Sequence, residues 1–106
     1  MFDKKHGSKT MYGIVGLGRF GQALAMDLAE SGAELIVLDS SEDKIREMRE
    51  LTENAYVVKR LDKKTLEASG IQNCDVAVVC IGEQMDTSIL TTLHLVALGI
   101  PKVIAK

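Results

Sequence analysis

Five short apolar runs recur along the chain, at residues 11–16, 35–38, 55–58, 76–81 and 103–105, and stretches with helical spacing separate them. The first and fourth runs are apolar at nearly every position, as strands buried on both faces are. Between the first two runs, Phe20, Leu24, Ala25, Leu28 and Ala29 recur at helical intervals, and Gly32 follows where a left-handed C-cap suits glycine. Ser40 followed by Asp43 predicts an N-cap, with Ile45, Met48 and Leu51 as the inner stripe of a second helix. A short helix is expected over 63–69, ended by Gly70, and a longer one over 86–98, closed by Gly99 ahead of Pro101. Strands alternating with helices predict an α/β fold: a Rossmann-like parallel sheet with helices on both faces, joined by right-handed crossovers. The pattern stops after the fifth strand, so the expectation is a truncated domain belonging to a longer protein. Residues 1–10 read as a polar N-terminal tail, and residues 11–106 as the nucleotide-binding domain.

Aromatic residues make up only 4% of the 106 residues, so the core must be aliphatic. A formal net charge of −2 leaves no basic footprint for nucleic acid. No apolar run approaches the ~20 residues that span a bilayer. The tail is short and carries Lys4, Lys5, His6 and Lys9 without a signal-peptide core. Cys74 and Cys80 lack metal-ligand spacing and are expected as single thiols rather than a disulfide, which predicts a cytoplasmic chain. No metal is expected.

Gly16-Leu17-Gly18-Arg19-Phe20-Gly21 has the form G-x-G-x-x-G, leaves a predicted strand and opens a predicted helix, and Asp39 ends the next strand. That is the full context of a dinucleotide-binding turn. Gly16 permits the tight turn, Gly18 leaves room for phosphate, and Gly21 lets the helix lie close to the sheet. The helix N-terminus offers N–H groups and a partial positive charge to phosphates. Asp39 can accept from both ribose hydroxyls. Arg19 either clamps terminal phosphates or sits solvated on the first helical turn. Phe20 either folds over a nucleotide or, by its spacing with Leu24, joins the core.

Further candidates lie at the carboxyl ends of the strands, where open parallel sheets bind ligands. They are Ser40 after strand two, Lys59, Arg60 and Leu61 after strand three, and Ile81, Gly82 and Glu83 at the end of strand four. Lys59 and Arg60 can flank an adenine or the phosphates, or form an ordinary polar loop. The two histidines are His6, in the tail, and His94, expected on the surface of the last helix. No nucleophile–base pair or carboxylate pair emerges. Three readings stay open: a regulatory ligand-binding module, the cofactor domain of an NAD-dependent dehydrogenase, and an assembly domain with a relic pocket.

From residue 11 to the end, the sequence resembles the N-terminal lobe of regulator-of-potassium-conductance (RCK, or KTN) domains. The likeness rests on Ile14-Val15-Gly16-Leu17-Gly18-Arg19-Phe20-Gly21, Val37-Leu38-Asp39, the segment from Leu66 through Gly70-Ile71, Val78-Val79-Cys80-Ile81-Gly82 and the segment from Thr87 to Thr92. The Gly-Arg-Phe-Gly form resembles the cytosolic subunits of Trk and Ktr potassium-uptake systems. The resemblance implies a non-enzymatic subunit that binds an adenine nucleotide (ATP, ADP, AMP or NAD(H)). It also implies a homo-oligomer, a dimer or a ring, seated on an integral-membrane potassium-translocating subunit at the inner face of the plasma membrane. Gly16, Gly18 and Gly21 would then carry the phosphate turn, Arg19 the terminal phosphate and Asp39 the ribose. Two departures stand out. The family's usual Gly-Asp after the third strand, whose acid contacts the adenine amino group, is Val58-Lys59 here, with Asp62 displaced to a helix cap. The crossover helix and C-terminal lobe of the family are also missing.

Overall fold

The computed structural model describes residues 10–82 and 84–106. The expected tail, with His6, lies outside them apart from Thr10, and so does Glu83. Ten elements follow in order: β1 (Met11–Val15), α1 (Arg19–Glu30), β2 (Glu34–Asp39), α2 (Glu42–Met48), β3 (Ala55–Val57), α3 (Lys63–Ser69), a 3₁₀ turn (Ile71–Asn73), β4 (Val76–Val79), α4 (Met85–Ala97) and β5 (Lys102–Ala105). The strands form one sheet in the order β3-β2-β1-β4-β5, and every pairing is parallel. The α/β doubly wound architecture expected from the alternation is therefore present.

The apolar strands serve two cores at once, because successive side chains leave a strand on opposite faces. Ile14, Leu35, Val37 and Val78 pack on one face with Ala25 of α1 and Ile45 and Met48 of α2. Val15, Ile36, Leu38, Ala77 and Val79 pack on the other with Leu66 of α3 and Leu95 of α4. Both Cys74 and Cys80 are free and buried. Gly13, inside β1, leaves room for this packing: a Cβ there would lie 2.8 Å from Cys74 Sγ and 2.9 Å from Ile71.

Three local expectations are corrected. The N-cap of α2 is Ser41, whose hydroxyl accepts from the Lys44 N–H at 3.3 Å, and not Ser40. β2 runs through Asp39, and the Asp39 carboxylate accepts the Ser41 N–H, so the helix begins one residue later. Leu51 is 39% exposed and lies past the end of α2. Beyond Met48 the chain turns toward β3, and the Thr52 hydroxyl donates to the Leu35 carbonyl at 2.9 Å. Phe20 is 46% exposed and joins neither core; its ring lies under Lys106 Nζ, 5.3 Å from the centroid.

The start of α1 is locked against the sheet by two glycines. Gly16 has φ +104°, and a Cβ on it would lie 2.5 Å from the Cys80 carbonyl oxygen. A Cβ on Gly21 would overlap the Gly16 carbonyl oxygen. By contrast, a Cβ on Gly18 meets nothing within 4 Å. Gly21→Ala should therefore cost about 1–3 kcal/mol in urea-unfolding stability, as overpacking does. Gly18→Ala should stay within about 0.5 kcal/mol of the parent, the usual range for an exposed site. Equal losses at the two positions would contradict this packing.

Candidate functional site

The carboxyl ends of β1, β2, β3 and β4 enclose a cleft of about 580 Å³, a size suited to a small-molecule ligand. Gly16, Leu17 and Gly18 form one wall, and Asp39, Ser40 and Lys59 belong to the opposite one. The floor is apolar, with contributions from Val15, Leu38 and Val58. This is the crevice beside the central strand, where open α/β sheets bind their ligands.

Asp39 is the centre of the site. Its Oδ1 accepts the Leu17 N–H at 2.7 Å, and its Oδ2 accepts the Ser41 N–H at 2.8 Å. One carboxylate thus joins the glycine turn to the β2–α2 loop. An ionised carboxylate has roughly four acceptor positions, so acceptor capacity remains for ribose hydroxyls. The Gly16 N–H is itself tied to the Leu38 carbonyl at 2.8 Å, fixing the turn to β2.

The N-terminus of α1 opens at the glycine wall. Its N-cap is Gly18, which has no side chain to cap the helix, and its first turn holds no acidic residue. Helix-end N–H groups left in this state attract anions, phosphates above all. On the opposite wall, Lys59 Nζ donates to the Ser40 carbonyl at 2.7 Å, bridging the β3–α3 and β2–α2 loops.

Of the residues singled out from sequence, Gly16, Gly18, Asp39, Ser40, Lys59, Leu61, Ile81 and Gly82 line the cleft. Arg19, Phe20, Gly21 and Arg60 do not. Gly21 acts instead through close helix packing. Arg19 opens α1 and is exposed. Arg60 is turned to Asp62, Nε to Oδ2 at 3.1 Å, with 80% of its side chain exposed. Asp62 is the N-cap of α3 and accepts the Thr65 N–H at 2.8 Å. The Thr65 hydrogen bonding holds its carboxyl below the usual carboxylate range, helped by the nearby Arg60 charge. His94 lies on α4 and is not among the cleft-lining residues.

Lys44, Gln84 and Thr87 also line the cleft, and sequence reasoning missed them. Lys44 sits on the first turn of α2, and Thr87 on the first turn of α4. Their signal was position alone: helix starts that follow the carboxyl ends of strands belong to the same rim. Cys80 reaches the cleft too, but burial raises its thiol pKa, partly offset by the Lys106 charge. Among the described residues, no group of three or more His, Cys, Asp or Glu side chains could hold a metal ion. No helix among them is long and apolar enough to cross a membrane.

Sheet order, glycine turn and acid together define a nucleotide-binding domain of the Rossmann type. The model of the TrkA-N domain family matches residues 12–106, and the chain belongs to that family. It is 37% identical over 98 residues to Ktr system potassium uptake protein C of Bacillus subtilis (strain 168), covering 92% of this chain and 44% of the relative. It is 32% identical over 95 residues to Ktr system potassium uptake protein A of the same organism, covering 90% and 43%. Ktr system potassium uptake protein A of Vibrio alginolyticus is 30% identical over 102 residues, covering 96% and 46%. The chain therefore spans less than half the length of these curated relatives. Among solved structures, N5-carboxyaminoimidazole synthetase from Staphylococcus aureus, complexed with ADP, matches with a TM-score of 0.63 and 29% identity. That match covers 85% of this chain and 23% of the other.

Asp39→Ala removes the partner of two backbone donors and should cost about 1–3 kcal/mol of unfolding free energy, the usual penalty for unsatisfied groups. A loss under about 0.5 kcal/mol would show that water replaces the carboxylate. Burial, with a smaller contribution from Asp75, pushes the Cys74 thiol up to about 12, against 9.0 when unperturbed. The unfolded chain releases this proton first, so Cys74 should make stability fall as pH rises from about 9 toward 12. Comparison with Cys74→Ala in alkaline unfolding titrations isolates that contribution; identical slopes for the two would remove it.

Proposed function

We propose that this domain is a cytosolic, non-enzymatic regulatory module of a potassium uptake system. An adenine nucleotide (ATP, ADP, AMP or NAD(H)) held in the cleft sets the state of a membrane potassium-translocating subunit at the inner face of the plasma membrane. The observation that carries this is the glycine turn, with an uncapped α1 N-terminus on one side and the Asp39 carboxylate on the other. The printed names of the three Ktr relatives support the potassium-uptake context. The reading draws little from the ADP of the synthetase, since the match spans 23% of that chain.

Phosphates would lie at Gly16, Gly18 and the start of α1, with the ribose hydroxyls on Asp39 and the base toward Lys59 and Leu61, while Ile81 and Gly82 close the cleft on the other side of the glycine turn. Arg19, exposed beside the phosphate end, would reach terminal phosphates only outside the cleft itself. Regulation requires a nucleotide that binds two conformations unequally, since equal binding shifts nothing. A homo-oligomer, a dimer or a ring, is part of the proposal. It is supported by an exposed apolar stripe on α4 that includes Met85, Ile89, Leu93 and Val96, the kind of surface that marks protein contact.

ADP and ATP should each raise the melting temperature, with a stabilisation of about 2.7 kcal/mol at one hundred times Kd. Gly18→Ala should melt like the parent yet lose most of that shift, because its methyl occupies the phosphate approach. Absence of any shift with adenine nucleotides in the parent would sink the nucleotide role.

A further inference from the structure

The base end of the cleft has a chemistry of its own. With phosphates at the end of β1 and ribose at the end of β2, the sheet order carries the base toward the end of β3. There the wall offers apolar surface from Val58 and Leu61 and one ammonium, Lys59. Lys59 Nζ already reaches across the cleft rim to the Ser40 carbonyl at 2.7 Å. An ammonium has three donors and no acceptor. Asp39 is the only carboxylate among the described residues lining the cleft, and the acceptor capacity it keeps beyond the Leu17 and Ser41 N–H groups is the part assigned to the ribose.

A purine entering this end therefore meets a cationic donor. The adenine edge carries an exocyclic amino group, itself a donor, beside N7. Guanine and hypoxanthine carry a carbonyl oxygen, O6, beside N7, and lysine pairs with that two-acceptor edge. The Ser40 carbonyl can accept from the N1–H of a 6-oxopurine or from the adenine amino group alike, so the discrimination falls to the ammonium. Adenine leaves the ammonium with ring nitrogens alone as acceptors.

We propose that Lys59 is a specificity-determining residue that opens this cleft to 6-oxopurine nucleotides, which bind at least as tightly as their adenine counterparts. The inference rests on the cleft being a nucleotide site, as proposed above. Isothermal titration of the intact protein with ADP, GDP and IDP, in the parent, Lys59→Ala and Lys59→Asp, tests it. In the parent, GDP and IDP should match or exceed ADP in affinity. Lys59→Asp should move the ADP-to-GDP preference about tenfold or more toward ADP, the discrimination one good base-edge contact carries, with Lys59→Ala between. If ADP binds the parent more tightly than GDP and IDP, the inference fails alone. It also fails alone if neither substitution changes the ratio. If none of the three nucleotides binds the parent, the nucleotide role fails and takes this inference with it.

Discussion

The Asp39 carboxylate is the joint on which the cleft depends. Its two oxygens face two different loops, and the backbone N–H of Leu17 and that of Ser41 each find their partner there. Backbone donors at the edge of a core are costly to leave unpaired, so the acid shapes the site even with no ligand present. The charge that would select ribose hydroxyls is thus also the group that sets the spacing between the cleft walls. Folding and the proposed recognition would draw on the same side chain.

Around this joint the structure divides its work by face. α1 and α2 cover one side of the sheet, and α3 and α4 the other. The strand ends that emerge between these layers have no side-chain layer above them, which is why the cleft forms there. Gly13 shows how closely the layers fit under the site, since even one added carbon would collide with Cys74 and Ile71.

Much of this was legible in the sequence for physical reasons. Near-continuous, β-branched apolar runs such as Val76-Ala77-Val78-Val79 suit strands covered on both faces, and Gly16 and Gly21 stood at the offsets that a strand–turn–helix needs. The mistakes share one cause. Ser40 and Ser41 are equivalent to any local rule for helix caps, and the choice between them is made by Asp39 across the turn. Leu51 continued a helical stripe, but the helix ends before it, where the chain is tied to β2 by a long-range bond from Thr52 to Leu35. Phe20 had core spacing, yet on the first turn of α1 it lies exposed under Lys106. Lys44, Gln84 and Thr87 carried no signature of their own, because only the packing of distant loops brings them to the cleft.

The two walls of the cleft differ in what they are made of. The glycine wall is backbone, and Gly16 and Gly21 fit against neighbouring carbonyls with no space for a single added carbon. The opposite wall is side chains: Ser40, Lys44, Lys59 and Leu61 contribute to it, and Ser40 and Lys59 are exposed. Within the glycine wall only Gly18 has open space around it, so inherited substitutions are absorbed more readily on the side-chain wall. A lineage of such domains would keep a constant mould for the part of a ligand common to all nucleotides, and would diversify by recasting the wall that meets what distinguishes one from another.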